Sequence, residues 1–203
     1  MEELAIIKEL LAIGLAGEFY SKDKFDTERY QRIGALGREL LANRTPHPPQ
    51  QIALQFEGEY GYQTPKVDTR AVVWQGDKIL LVQESNGQWA LPGGWMDVNE
   101  TISSNALKEL AEEAGIEATA KRLIMIQDRN LHNPGQSIFT ILKCFVECEL
   151  QAMAFQPNSE TLAAEFFDPA ELPELFGEKT SAEQIALCQQ AKAQGSQWQV
   201  LYD

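Results

Sequence analysis

The chain has 203 residues, 30 acidic against 17 basic for a net charge of −13, and 44% hydrophobic content. That length holds one medium domain with a small accessory one, and the apolar fraction is that of a globular protein with a sizeable core. So large a negative charge, with no Lys or Arg run to offset it locally, disfavours extended polyphosphate partners and argues against DNA.

No apolar run is long enough to span a bilayer, so no membrane association is expected. The first residues, Met1-Glu2-Glu3-Leu4, lack the basic segment and cleavage site of a secretory leader, and a cytoplasmic location is expected. Cys144, Cys148 and Cys188 are odd in number and lack metal-site spacing, which reads as reduced core residues.

Residues 1 to about 45 are expected to form a helical hairpin. Leu4, Ile7, Leu11 and Leu15 recur at helical spacing, followed by Phe19 and Tyr20. After a short loop, Asp26 is the expected N-cap of a second helix carrying Tyr30, Ile33, Leu36 and Leu40 on one face, with Asn43-Arg44-Thr45-Pro46-His47-Pro48-Pro49 as its breaker. Such a hairpin cannot bury its own stripe, so it must dock on the main domain or on a second subunit, and a homodimer through these helices is expected. The boundary is placed between 1–64 and 65–203.

From about residue 65 the pattern becomes strand-like. Segments 67–74 and 78–83 are β-rich and joined at Gln75-Gly76-Asp77, a hairpin signal. Further strands are expected at 121–127 and 137–150, then a strand with a helical turn over 164–173, a helix over 181–193 and an apolar tail at 198–202 that packs beneath it. Trp74, Trp89 and Trp95 are expected in the core or cleft wall rather than as stacking platforms, an aromatic facing the cleft to stack a nucleobase being the alternative.

The most informative stretch runs from Gly94 to Ile116. Counted from Gly94, Glu100 follows after five residues and Lys108-Glu109-Leu110 after seven more, with Glu112-Glu113 and Gly115-Ile116 closing the segment. At about 100° per residue, Glu109, Glu112 and Glu113 share one arc of a helix, and Leu107, Leu110, Ala111 and Ala114 make an apolar stripe opposite. Gly115 then ends the helix. A solvated acidic face is the plain alternative. Three adjacent like charges offset by one lysine repel one another, however, and a hard divalent cation, Mg2+ or Mn2+, removes the conflict.

This segment resembles the Nudix box, G-x5-E-x7-R-E-U-x-E-E-x-G-U with U aliphatic, at every defined position except Lys108, where the box has Arg. With Leu91-Pro92-Gly93-Gly94 before it, the resemblance covers about residues 65–175. It implies an α/β fold, an α/β/α sandwich around a mixed sheet, and hydrolysis of a nucleoside diphosphate linked to another group X. The elements Tyr20-Ser21-Lys22-Asp23, Asp26-x-Glu28-Arg29-Tyr30 and Thr64-Pro65-Lys66-Val67-Asp68-x-Arg70 resemble a bacterial subgroup with an extra helical domain. That subgroup is labelled ADP-ribose pyrophosphatase and includes a CDP-choline pyrophosphatase.

By that resemblance Glu109 and Glu113 are the principal metal ligands, Glu112 is a further ligand or a base, and the Gly94 carbonyl completes the shell. Glu160, in the loop Pro157-Asn158-Ser159-Glu160, is the candidate base beyond the box, with an ordinary loop acid as the equal alternative. Lys108 is expected to hold Glu100 or Glu112 as the usual Arg would. Arg70, Asp128, Arg129 and His132 are candidate substrate contacts, His132 more simply a loop histidine with a local hydrogen bond. The expected substrate is a small nucleotide conjugate, CDP-choline ahead of ADP-ribose. The alternatives are a housecleaning nucleoside triphosphate or RNA 5'-end pyrophosphohydrolase, and a non-catalytic metabolite-binding regulator.

Overall fold

A computed structural model describes residues 3–44, 56–135, 137–158 and 160–203, which divide into two compact units, Met1–Pro65 and Lys66–Asp203. In the first, helix α1 (Glu3–Tyr20) packs on helix α2 (Lys24–Ala42). Glycines set the closeness of the approach. A Cβ on Gly14 would lie 2.7 Å from the Gly34 nitrogen, one on Gly17 would overlap the Tyr30 ring at 2.1 Å, and one on Gly37 would meet Leu11 at 3.0 Å.

The buried face is therefore Ile7, Leu11 and Gly14 against Gly34, Gly37 and Leu41. The stripe of α2 read from the sequence lies off this face, with Leu36 and Leu40 exposed together with Ile6, Ile13, Phe19 and Tyr20. The N-cap is Asp23, whose carboxylate accepts from the Phe25 and Asp26 amides at 3.0 and 3.1 Å. Asp26, the expected cap, sits in the first turn and pairs with Arg29 at 2.6 Å. The breaker beyond Arg44 lies outside the described residues.

The second unit is built on a seven-stranded mixed sheet. Its strands are β1 (Lys66–Gln75), β2 (Lys78–Glu84), β3 (Trp89–Ala90), β4 (Ile116–Asp128), β5 (Ile141–Met153), β6 (Thr161–Phe167) and β7 (Leu201–Tyr202). The order is β3-β2-β1-β5-β4-β7, with β6 also paired to β2. The β1–β5 and β4–β7 pairs are parallel and the rest antiparallel. Helix α3 (Ile102–Ala114), short helix α4 (Arg129–His132) and helix α5 (Ala182–Gln194) complete it.

Period-two side-chain alternation sends Ala71, Val73, Leu80 and Val82 to one face, under Ala106, Leu110 and Ala114 of α3. Val72, Ile79 and Leu81 go to the other, under Ile185, Cys188 and Ala191 of α5. Both faces are covered, which accounts for the nearly continuous apolar runs of β1 and β2 and makes the α/β/α sandwich.

Three boundaries differ from expectation. β4 starts at Ile116 rather than near 121, because Gly115 turns the chain directly from helix to strand at φ 58°, where a Cβ would stand 2.6 Å from the Ala154 carbonyl oxygen. β5 begins at Ile141, not 137. Residues 168–173 form a turn instead of a helical turn, with Asp168 accepting from the Glu171 and Ala170 amides. The tail adds β7 beside β4, anchored by the Trp198 indole donating to the Ile124 carbonyl at 2.9 Å. All three cysteines are buried and free, and burial pushes the Cys144 and Cys148 thiols up to about 11 and about 12. Among the described residues no helix is long and apolar enough to cross a membrane.

Candidate active site

Helix α3 is capped at both ends. Thr101 and Ser104 form a reciprocal capping box, and Gly115 takes the left-handed conformation. Its buried face is Asn105, Ala106, Leu110, Glu113 and Ala114, whereas Ala111, expected inside, is exposed. The consequence for the acidic cluster is a division of labour. Glu113 turns inward, Glu109 is half-buried and Glu112 points to solvent.

Glu113 is held by the Gly93 amide, which donates to its carboxylate at 2.7 Å. Burial pushes its pKa up to about 7, opposed by that hydrogen bond and by the nearby Arg70 charge. Glu109 is also raised, chiefly by burial. In both, the cost of burying the charged form outweighs the pull of the nearby cations, Arg70 on each and Lys108 on Glu109.

The loop beside them is pinned to β1 by main-chain bonds. Thr69 donates to the Gly94 carbonyl, Ala71 to the Pro92 carbonyl, and Met96 to the Val67 carbonyl, each at 2.9 Å. Gly93 is required here: at φ 143° a Cβ would collide with the Thr69 carbonyl oxygen at 1.9 Å. Gly94 comes so close to Glu109 that its own Cβ would be 3.1 Å from a carboxylate oxygen. Asn105 ties the helix to both neighbours, donating to Thr69 at 2.7 Å and accepting from the Asp97 amide at 3.2 Å.

Among the described residues no three acid, imidazole or thiol groups converge as a preformed cage. The donor set nevertheless suits a hard divalent cation. Magnesium is held by one or two carboxylates and by substrate phosphates rather than by an all-protein cage, and Glu109 and Glu113 supply two carboxylates beside the Gly94 main chain. The Gly94 carbonyl already accepts one hydrogen bond, which leaves it one lone pair.

Lys108 pairs with Asp97 at 2.9 Å and with Glu112 at 3.4 Å, not with Glu100. Glu100 lies in the preceding turn, its amide donating to the Asp97 carbonyl at 3.0 Å. Lys108 therefore ties the loop after Gly94 to the helix through Asp97. Lys108→Ala is expected to weaken divalent-cation affinity by roughly 10 to 100-fold while Lys108→Arg preserves it. Calorimetric titration with Mn2+ checks this, and unchanged affinity in the alanine variant would show a merely solvated residue.

Next to Gly94 opens a cavity of about 230 Å3, lined by Arg70, Trp95, Arg129, Lys143 and Lys179 among others. Arg70 is buried on β1, with two hydrogen bonds to Asp68 at 2.8 and 2.7 Å and one to the Leu91 carbonyl at 3.1 Å. Arg129 reaches the carbonyls of Gly135 and Pro134 and the Glu178 carboxylate. Two expected substrate contacts thus meet in one cavity. Asp128 is not among its walls, since its carboxylate caps α4 by accepting from the Asn130 amide at 2.8 Å. His132 ends α4 and bonds Asp203 at 2.8 Å, a partner at the far end of the chain in place of the local bond expected.

Glu160 is exposed, in a turn where Asn158 donates to the Glu112 carbonyl at 2.9 Å, so the turn lies against the C-terminal part of α3. Ser159 lies outside the described residues. Of the tryptophans, Trp74 and Trp89 pack against the core, and Trp95 is 53% exposed at the cavity rim. Trp95 also borders a second, apolar cavity of about 440 Å3 with Val67, Met96 and Phe139.

Sequence reasoning missed Lys143 and Lys179. The signal for the first was present: a single charge inside the apolar run Ile141-Leu142-Lys143-Cys144-Phe145-Val146. Lys179, remote in sequence and unpatterned, gave none.

A mixed sheet between helical layers carries a carboxylate helix against a paired-glycine loop, with a basic cavity opening beside that loop. The sequence profile of the NUDIX domain matches residues 64–199, and the chain belongs to the Nudix hydrolase family. A second profile, the UDP-X-like N-terminal oligomerisation domain, matches residues 2–56. YjhB of Bacillus subtilis (strain 168), provisionally named an ADP-ribose pyrophosphatase, is 32% identical over 181 residues, 89% of this chain and 87% of that protein. Among solved structures, a UDP-X diphosphatase is 33% identical, with a TM-score of 0.64 over 98% of this chain and 97% of its own. An ADP-ribose pyrophosphatase from Streptococcus suis 89-1591 is 46% identical, with the same TM-score over 69% of this chain and all of its own.

Proposed function

We propose that the protein hydrolyses the diphosphate of a small nucleoside diphosphate conjugate, with Mg2+ or Mn2+, to a nucleoside monophosphate and phospho-X. The observation that carries this reading is the adjacency of Glu109 and Glu113 to a cavity walled by Arg70, Arg129, Lys143 and Lys179 across the Gly94 loop. Carboxylates there hold the cation and basic side chains hold the phosphates. When bound, the cation neutralises phosphate charge as the P–O bond breaks.

Within that reading Glu109 and Glu113 are the ligands and the Gly93 amide orients Glu113. Glu112, exposed and paired with Lys108, and Glu160, exposed in the turn docked beside it, are the two candidate proton acceptors from the attacking water. Arg70 and Arg129 have little freedom to move, because each is already bonded within the protein, so they position phosphate with small reorganisation.

The conjugate class is supported by the likeness to a UDP-X diphosphatase along almost the whole chain and by the likeness to proteins named for ADP-ribose. Neither likeness concerns CDP-choline, so that conjugate stands on the motif resemblance alone. A screen of UDP-glucose, CDP-choline, ADP-ribose, nucleoside triphosphates and capped RNA is expected to give the highest kcat/KM among the conjugates. A triphosphate or capped RNA processed about tenfold faster, a difference of about 1.4 kcal/mol in barrier, would overturn the substrate class.

The N-terminal unit supports self-association. Ile6, Ile13, Leu36 and Leu40 are exposed on its two helices, and the matching profile is an oligomerisation domain. A homodimer is the expected state in sedimentation equilibrium. Leu36→Glu with Leu40→Glu is expected to give monomers, and a double variant that still dimerises would place the interface elsewhere.

A further inference from the structure

The cavity beside Gly94 holds four basic side chains, and three of them are matched. Arg70 pairs with Asp68 at 2.7 Å, Arg129 with Glu178 at 3.3 Å and Lys179 with Glu84 at 2.6 Å. Lys143 differs. It is 1% exposed, and its amine bonds to the main-chain carbonyl of Lys179, with no carboxylate partner among the described residues. A hydrophobic residue at this mid-strand position would fill the space without a charge to desolvate. Burial, with Arg70 and Arg129 nearby, pulls its pKa down to about 7 against the opposing charge of Asp68, which is already paired with Arg70.

The neighbouring apolar cavity tells which half of a substrate enters this one. Trp95 belongs to both walls, and on its far side Met96 and Phe139 offer flat and apolar surface, with the Lys66 amine 4.7 Å above the Phe139 ring. A nucleobase gains from stacking there. The polar cavity, some 230 Å3, is left for the other half.

We infer that this cavity is the subsite for the phosphoryl group on the X side of the scissile bond, and that Lys143 is the substrate-binding residue that gives it affinity for that group. The inference rests on the reading of the protein as a nucleoside diphosphate conjugate hydrolase. Its test separates the two. In the metal-free full-length chain, inorganic phosphate is expected to raise the melting temperature of the wild type and to leave Lys143→Met unshifted. Lys143→Met itself is expected to melt no lower than wild type in the absence of phosphate, since it removes a desolvated amine.

During UDP-glucose hydrolysis, Lys143→Met is expected to raise KM about tenfold and to lose inhibition by glucose 1-phosphate, the X-side product, to a similar degree, keeping inhibition by uridine monophosphate. If the variant fails to fold, the wild type still decides: with lysine labelled at Nζ and Cε, the Lys143 resonances must move on addition of phosphate. A phosphate-dependent melting shift retained by Lys143→Met, or Lys143 resonances unmoved in the wild type, would overturn the subsite. Loss of inhibition by uridine monophosphate in place of glucose 1-phosphate would overturn its assignment to the X side. Absence of hydrolysis with phosphate binding intact would sink the proposed function and leave the anion site standing.

Discussion

Glu113→Gln is expected to lower kcat by about 10^3-fold or more, a loss of roughly 4 kcal/mol in transition-state stabilisation, while the metal-free protein becomes no less stable. The amide keeps the shape of the side chain, and its oxygen can still accept from the Gly93 amide that now bonds the carboxylate at 2.7 Å. What it loses is the negative charge a divalent cation requires. The stability side follows from the titration of the buried acid. Its pKa rises from 4.5 to about 7 on folding, mainly through burial, so the folded protein binds the proton more tightly than the unfolded chain.

A raised value contributes stability that is complete below about 4.5 and lost as pH climbs through about 7. Above that the ionised group costs the fold on the order of 3 kcal/mol. Melting curves of metal-free protein are therefore expected to show Glu113→Gln matching the wild type near pH 4.5 and exceeding it at pH 8. Added Mg2+ should restore the wild type at pH 8 and leave the variant unmoved. Near wild-type turnover in the variant would remove Glu113 from the ligand set.

Arg70→Met is expected to be the more damaging change to the fold, at about 3–5 kcal/mol, because it strands a carboxylate rather than relieving one. Asp68 is 9% exposed and takes both of its described side-chain bonds from Arg70. Removing the guanidinium leaves that charge, and the Leu91 carbonyl it also serves, without their donor. Burial opposes the charge on Arg70, but Asp68 more than offsets it and keeps the guanidinium firmly protonated. Arg70→Lys should recover only part of the loss, since a single ammonium cannot bond both carboxylate oxygens and the carbonyl together. Urea denaturation of the single variants and of Asp68→Asn with Arg70→Met checks the account. The double variant is expected to be more stable than Arg70→Met alone, and equal stabilities would mean that the stranded charge is not the cause.

Glu113 and Arg70 also show where local pattern stops. Spacing placed Glu109, Glu112 and Glu113 on one arc, and that was sound as helix geometry. It could not say that the sheet lies so near Glu113 that this residue joins the buried face with Leu110, while Ala111 goes to solvent. The orientation of a helix is set by what packs against it, here Thr69 through Asn105 and the Gly93 amide through Glu113 itself. Lys108 is a similar case: its i+4 partner Glu112 was visible along the chain, and its closer partner Asp97, in a loop, was not.

In the N-terminal unit, glycine periodicity carried the close helix crossing at Gly14, Gly34 and Gly37. A search for apolar stripes passes over residues without side chains: it found Leu36 and Leu40, which the hairpin leaves exposed, and not the glycine face that the two helices share. The sequence by itself determined the N-terminal helices, the carboxylate helix with its stop at Gly115, and the glycine pair, because each depends on near neighbours and on backbone conformations that few residues accept. The tertiary structure alone decided the cavity. Arg70, Arg129, Lys143 and Lys179 come from β1, α4, β5 and the loop after β6, and only the parallel pairing of β1 with β5 and the docking of that loop bring four basic side chains to one wall. Convergence of this kind has no period along a chain.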